Sequence, residues 1–245
     1  MKTSKPSWLI FVFVLGCLSQ RSQAQGHSEA ARELAAKVMQ AMGGLENWEK
    51  TTELAFDFVV ESEGKEVSRR SHVWNRATNG YSLNWKGSQD GKAYRIEFTD
   101  IYQKTGQVWI DDQIPPDSTR LQLLERGYAL FINDTYWLIM PFKLFDPGVK
   151  LHEAPVENKN GVDYRVLHLS FDNVGLTPGD QYWLWIDPAS FRIQGWRYKL
   201  QSNHEGAYLW ENYQSFGAVT LPLRRVTEDG KRSIWFDKVR MNAGQ

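Results

Sequence analysis

Five histidines, one cysteine and two adjacent arginine pairs are the residues from which this 245-residue chain would have to build a reactive site. His27, His72, His152, His168 and His204 stand apart, with no H-E-x-x-H, no C-x-x-C and no other ligand spacing. His72 and His168 fall in predicted strands, where a lone histidine serves as a hydrogen-bonding structural group; only convergence with Asp172 across a sheet would change that reading. The nucleophile elbow G-x-S-x-G, the Walker A loop and G-x-G-x-x-G after a strand are all missing. The carboxylate pairs Asp111/Asp112 and Glu228/Asp229 adjoin turn residues. Neighbours on a strand face opposite ways, whereas a hydrolytic pair must face one cleft, so these read as solvated turns. The sequence therefore calls for no catalytic residue, no metal and no cofactor.

The arginine pairs Arg69/Arg70 and Arg224/Arg225 carry a different chemistry. On a strand, alternation sends one member of each pair inward and leaves the other wet, unless the whole pair lies on a solvated surface. An inward guanidinium needs acceptors, either the free carbonyls at a helix C-terminus or a buried carboxylate. Aromatic residues are the other unusual resource. Of 11 tryptophans, Trp183, Trp185, Trp196 and Trp210 cluster in consecutive C-terminal segments, and Phe56, Phe58, Tyr81 and Trp85 occupy alternating positions earlier. On a curved sheet they would form either the wall of an apolar cavity or ordinary sheet packing.

The N-terminus reads as an export signal. Lys2 and Lys5 precede the apolar run WLIFVFVLGCL (residues 8–18), too short to span a bilayer, and Ser22 and Ala24 suit cleavage before Gln25. A signal peptide over 1–24 is one reading; the other takes VLGC as a lipobox and Cys17 as an acylated first residue, anchoring the protein in the outer membrane. Neither includes a spanning helix. Lys and Arg together equal Asp and Glu at 29 each; removal of 1–24 takes Lys2, Lys5 and Arg21 and no acid, leaving a net charge of −3. Such a chain has no field to draw it to nucleic acid. With a single cysteine, the fold must rest on packing rather than on disulfides.

The elements that must position these residues are mostly strands. Ser28 caps a predicted helix with Ala31, Leu34, Ala35, Val38 and Met42 on one face, ended by Gly43 and Gly44. From Leu54 the period switches to two, and about twelve alternating segments follow at turn spacings such as Thr78-Asn79-Gly80 and Asn160-Gly161. The pattern breaks only at 111–149. There Leu121, Leu124, Tyr128 and Phe131 predict one helix, and a cap at Asn133/Asp134 predicts a second, carrying Trp137, Leu138, Met140 and Phe142, with Pro141 near its end or bending it. This segment is either core or a lid over an apolar cavity. Without a linker between the two runs of strands, 27–245 reads as a single mainly β domain (α+β), a curved antiparallel sheet of 10–12 strands.

The order of these parts resembles the outer-membrane lipoprotein-sorting protein superfamily, the LolA-like carriers. The resemblance rests on the opening helix ending AMGG, on YWLWIDPASFRIQGWRY with its I-D-P-x-S hairpin at Ile186 to Ser190, on the G-x-x-x-L-P segment from Gly217 to Pro222, and on the last strand DKVRMN. It spans essentially all of 27–245 and implies an unclosed half-barrel whose apolar concave face is covered by helices and takes up acyl chains of lipoproteins or other lipids. It further implies a non-catalytic periplasmic carrier with an envelope donor or acceptor protein as partner. Carriers of this kind hold the lid with an inward arginine on an early strand, a role that falls to Arg69 or Arg70. Trp137, Met140 and Phe142 are then expected against the concave face. The segment FINDTYWLIMPFKLFDPGV matches the lid in place and departs from it in sequence, which leaves the cargo open. The alternative is a structural or sensory envelope module with a filled groove that binds a protein.

Overall fold

The structure, a computed structural model, describes residues 28–172 and 174–243. The cleavage site, the lipobox and Cys17 lie outside the described residues. Helix α1, Glu29–Ala41, starts where the Ser28 hydroxyl accepts from the Ala31 amide at 3.2 Å. It ends at two glycines with positive φ, 104° at Gly43 and 83° at Gly44. A Cβ at Gly43 would stand 2.0 Å from the carbonyl oxygen of Ala218, so only glycine allows the helix end to reach the neighbouring turn, where Thr220 donates to Met42 at 2.9 Å. A five-residue helix α2, Leu45–Glu49, follows and was not expected. Its Trp48 is buried under the guanidinium of Arg76, 4.1 Å from the ring centroid.

Strands β1 (Thr51–Ser62), β2 (Lys65–Asn75), β3 (Gly80–Lys86), β4 (Ala93–Asp100) and β5 (Thr105–Ile110) form an antiparallel meander. Strand β5 begins later than its alternation suggested, because Ile101 to Lys104 form the turn and Lys104 takes a positive φ. Helix α3, Asp117–Ile139, then crosses to the far edge and gives way to a 3-10 helix, Met140–Lys143. A second meander returns through β6 (Val149–Lys159), β7 (Val162–Phe171), β8 (Gln181–Ile186), β9 (Ile193–Lys199), β10 (Glu205–Phe216), β11 (Val219–Val226) and β12 (Arg232–Ala243). Asn160 and Gly161 both take positive φ in the β6–β7 hairpin, as a two-residue turn of that type requires.

The twelve strands make one sheet in the order β5-β4-β3-β2-β1-β12-β11-β10-β9-β8-β7-β6. First and last strands pair at its centre, Phe58 opposite Phe236 and Val60 opposite Ile234, so the two meanders share one core. The sheet is not closed, and β5 and β6 are its edges. α1 and α3 lie on the inner face, against Leu54, Phe56, Phe58, Leu83, Ile96, Leu151, Leu167, Leu184 and Trp196, all nearly or fully buried. Gly127 lets α3 approach β4 closely, since a Cβ there would lie 2.7 Å from the Ile96 δ-methyl. Among the described residues no helix is long and apolar enough to cross a membrane.

One expected element is corrected. Asn133 and Asp134 do not cap a new helix; they lie inside a single helix of 23 residues. No proline interrupts the run before Pro141, and the Asp134 carboxylate is engaged by the sheet rather than by its own backbone. Pro141 sits where the α-helix tightens into the 3-10 turn.

Candidate functional site

Alternation along β2 places Arg70, His72 and Trp74 on the inner face and Arg69 on the outer one. Arg70 grips Asp134 of α3 with two hydrogen bonds, Nε to Oδ2 at 2.6 Å and Nη2 to Oδ1 at 3.0 Å. His72 Nε2 lies 3.1 Å from the same Oδ2, off the line of a good hydrogen bond, and its Nδ1 shares a hydrogen with the Tyr81 hydroxyl. Phe58 lies 4.6 Å under the Arg70 guanidinium, and Phe56 stacks on the His72 ring at 4.7 Å. Phe56, Phe58 and Tyr81 thus support this cluster rather than line a cavity. Asp134 has no exposed surface. Burial alone would raise its pKa, but His72 and Arg70 outweigh it and hold the carboxyl below its usual range. The His72 pKa is lowered, chiefly by burial, against the pull of Asp134 and with the Arg70 charge acting in the same sense.

A second arginine fastens α3 three residues further along, at its C-terminal end. Arg225 on β11 is completely buried, donates to the Trp137 carbonyl near the helix C-terminus at 2.6 Å and to Pro222 at 2.8 Å, and rests 3.8 Å over the Trp210 ring. Burial without a carboxylate pulls its pKa down to about 9, against the pull of Tyr213, so the group stays charged at neutral pH. Both arrangements set out for an inward arginine are therefore present, the carboxylate at Arg70 and the helix carbonyl at Arg225. Arg69 points outward to Asp57, Glu66 and Asp237, at 2.8–3.0 Å, and takes no part.

Between the C-terminal half of α3, the segment 143–149 and the inner face of β6 to β8 lies a groove of about 370 Å³, at the small end of ligand-pocket sizes. Its walls are Ile132, Tyr136, Trp137, Val149, Phe171 and Tyr182, with Lys143, Asp146, Asn133 and Thr177 at polar positions. Behind it runs a chain of rings: Trp137 to Trp196 at 4.8 Å, Tyr182 to Trp196 at 4.8 Å and Trp196 to Trp210 at 5.2 Å. Of the residues nominated from sequence only Trp137 borders this groove. Trp196 and Trp210 stand behind it, Met140 is buried in the core, Phe142 stacks on Trp48 at 5.1 Å, and Trp85 stacks on Tyr94 at 4.7 Å.

Trp183 and Trp185 require correction: they lie on the outer face. Trp183 pairs with His168 and lies 3.9 Å from Arg197; Trp185 lies under Lys159 at 3.6 Å and donates to Glu157 at 2.7 Å. Arg95 covers Trp109 at 3.8 Å in the same way. The tryptophan surplus is thus divided between an inner cluster and outward rings shielded by cations. The convergence of His72 and His168 with Asp172 does not form: His72 lies beside Asp134, His168 pairs with Gln181 at 3.0 Å, and Asp172 pairs with Lys150 at 2.5 Å. The groove residues Tyr136, Phe171 and Tyr182 were missed. For Tyr182 the signal was alternation with the inward Leu184, but YWLW presents a ring on either choice of face. A second, larger cleft of about 660 Å³ has a mixed lining, with Lys159, Asn158, Gln194, Glu211 and Glu228 beside Val162, Tyr164, Leu209 and the sequence-nominated Trp185 and Trp210, and is more polar than the inner groove. Among the described residues no group of three or more His, Cys, Asp or Glu side chains could hold a metal ion.

An open antiparallel half-barrel with helices laid across its inner face is the LolA-like fold, and this chain has it. A LolA superfamily protein from Nitrosomonas europaea matches over 86% of this chain and 94% of its own, at TM-score 0.50 and 11% identity. A DUF1329 family protein from Desulfovibrio piger (88% and 93%, TM-score 0.47, 11% identity) and an outer membrane lipoprotein-sorting protein domain from Vibrio parahaemolyticus (89% and 94%, 0.45, 10%) are also similar. No protein-family model matches the sequence, and no curated protein does.

The buried cluster makes attachment of α3 dependent on pH. For His72, a pKa depressed below the usual 6.5 means stability is full above that value and declines as pH falls beneath it. For Asp134, depressed below 3.8, stability is present above that value and is lost as pH falls through the depressed pKa. Both act in the same direction. Hydrogen exchange of α3 amides, corrected for intrinsic rates, should show protection falling from pH 7 to pH 5, with His72→Gln removing that decline. Protection that stays level across this range in the wild type would contradict the assignment.

Proposed function

We propose that this is an exported, non-catalytic envelope protein that binds acyl chains of a lipid or lipoprotein between α3 and the sheet. The observation that carries the reading is an apolar groove beside a helix that is held by discrete polar contacts as well as by packing. Burial supplies the affinity at about 0.8 kcal/mol per methylene. Lifting α3 to make more room would expose Leu123, Leu124, Phe131, Leu138 and Ile139, none more than 8% exposed, at a cost on the order of 10 kcal/mol by the same scale. Ligand uptake therefore favours the existing groove or needs a partner that loosens the helix. The leader reading of 1–24, or acylation at Cys17, would place the protein in the periplasm or on the outer membrane.

Native mass spectrometry of protein purified from its own envelope, followed by displacement of a fluorescent fatty acid from delipidated protein, tests this. Co-purifying lipid and saturable displacement are expected; neither would occur in a module that merely binds a protein. That second reading draws on the close packing of α3, whose Leu123, Leu124, Phe131, Leu138 and Ile139 are already buried against the sheet.

A further inference from the structure

We infer that the groove takes a single-chain amphiphile, one linear acyl chain with a compact head bearing anionic oxygens, and not a two- or three-chain lipid. This rests on the acyl-binding reading and narrows it. An apolar protein cavity of about 150 Å³ accommodates one benzene, six carbons. On that scale a groove of 370 Å³ matches roughly fifteen carbons, the length of one common acyl chain.

Its walls agree. Tyr136 on α3 touches Tyr182 on β8, ring centroids 6.1 Å apart, and Phe171 touches Tyr182 at 5.9 Å, so these rings close one wall and a chain lies beside them rather than between them. Trp196, with no exposed surface, closes the inner end through its contacts with Trp137 and Tyr182. A second chain needs α3 to move away, and the helix is fixed beside the groove by two contacts three residues apart, Arg70 to Asp134 and Arg225 to the Trp137 carbonyl.

The polar end is equally defined. Lys143 pairs with Asp146, and their side chains remain 37% and 40% exposed. Apolar Phe145 and Leu176 stand exposed nearby, 38% and 50%. A chain lying in the groove brings its head to the Lys143–Asp146 pair, where the ammonium takes a carboxylate or a phosphate in exchange for Asp146, and the carboxylate so released accepts an ammonium from a zwitterionic head.

The test uses delipidated full-length mature protein with four probes: palmitate, palmitoyl lysophosphatidylcholine, dipalmitoyl phosphatidylcholine and a tripalmitoylated lipopeptide. Native mass spectrometry should show one single-chain probe per protein, bound at least tenfold tighter than the two- and three-chain probes. Comparing palmitate with the lysophospholipid separates a carboxylate head from a phosphate head. Ile132→Trp, which fills the groove from the partly exposed face of α3, should weaken single-chain binding at least tenfold with circular dichroism unchanged. Lys143→Ala should weaken it severalfold and leave a neutral monoacylglycerol unaffected. Equal or tighter binding of the multi-chain probes would overturn the inference and leave the acyl-binding reading standing. Failure of every probe would overturn both.

Discussion

Asp134→Ala should cost about 3–5 kcal/mol of folding stability, far more than a typical point substitution. The carboxylate is fully buried in the C-terminal half of α3, and its removal leaves the Arg70 guanidinium, 15% exposed, facing Phe58 with no anion in reach of its Nε. Asp134→Asn should cost less, because the amide still accepts one of the two hydrogen bonds. The double change Arg70→Met with Asp134→Leu should recover most of the loss, since a buried pair replaced as a unit by apolar groups of similar volume is often neutral or better. Urea denaturation of the two single variants and the double variant gives the coupling directly. A single-variant loss below about 1 kcal/mol, or a double variant as unstable as the sum of the singles, would show that the pair does not hold the helix.

The same pair explains why the middle of the chain was the hardest part to read. An Asn-Asp step ahead of an apolar run carries the local signature of a helix start, because a short polar side chain satisfies the first free amides. Here the carboxylate finds a partner 64 residues away, and the helix runs straight through. Local sequence contains no trace of that partner beyond the inward or outward choice between Arg69 and Arg70. Alternation left this choice open, and the register of Arg70 opposite Phe58 and Trp85 resolves it. The twelve strands were legible for the opposite reason. A period of two and turn residues such as Asn160-Gly161 act over a few residues and need no distant contact.

The groove was less legible than the sheet, because a concave face is a property of curvature and not of any one strand. In β8 rings occupy both faces, so counting aromatics overstates the cavity wall. The outer rings have their own support. After a register shift between Ala154 and Glu157, the β6–β7 hairpin reaches over the outer face, where Glu157 accepts from Trp185 and from Arg197 at 3.1 Å, while Lys159 meets Glu228 of the β11–β12 turn at 3.2 Å. Trp185 is buried in consequence, without belonging to the helix-covered core.

The division of tryptophans has a measurable consequence of similar size to the loss at Asp134. Trp196→Ala should destabilise the protein by about 3–5 kcal/mol, as truncation of a fully buried ring in a close-packed core does. The ring touches Trp137, Tyr182 and Trp210, so its loss leaves a void at the closed end of the groove that these neighbours, fixed on α3, β8 and β10, fill only in part. Trp183→Ala removes a partly exposed outer ring, the stack on His168 at 4.7 Å and the contact with Arg197, together worth about 1–2 kcal/mol. The two also separate in ligand binding: a void behind the groove lengthens the accepted chain, whereas a change on the outer face leaves chain-length preference alone. Thermal denaturation of both variants, with chain-length profiles for a fatty acid series, reads the two effects together. Equal destabilisation by the two substitutions, or a shift in chain length on losing Trp183, would place the apolar wall on the wrong side of the sheet.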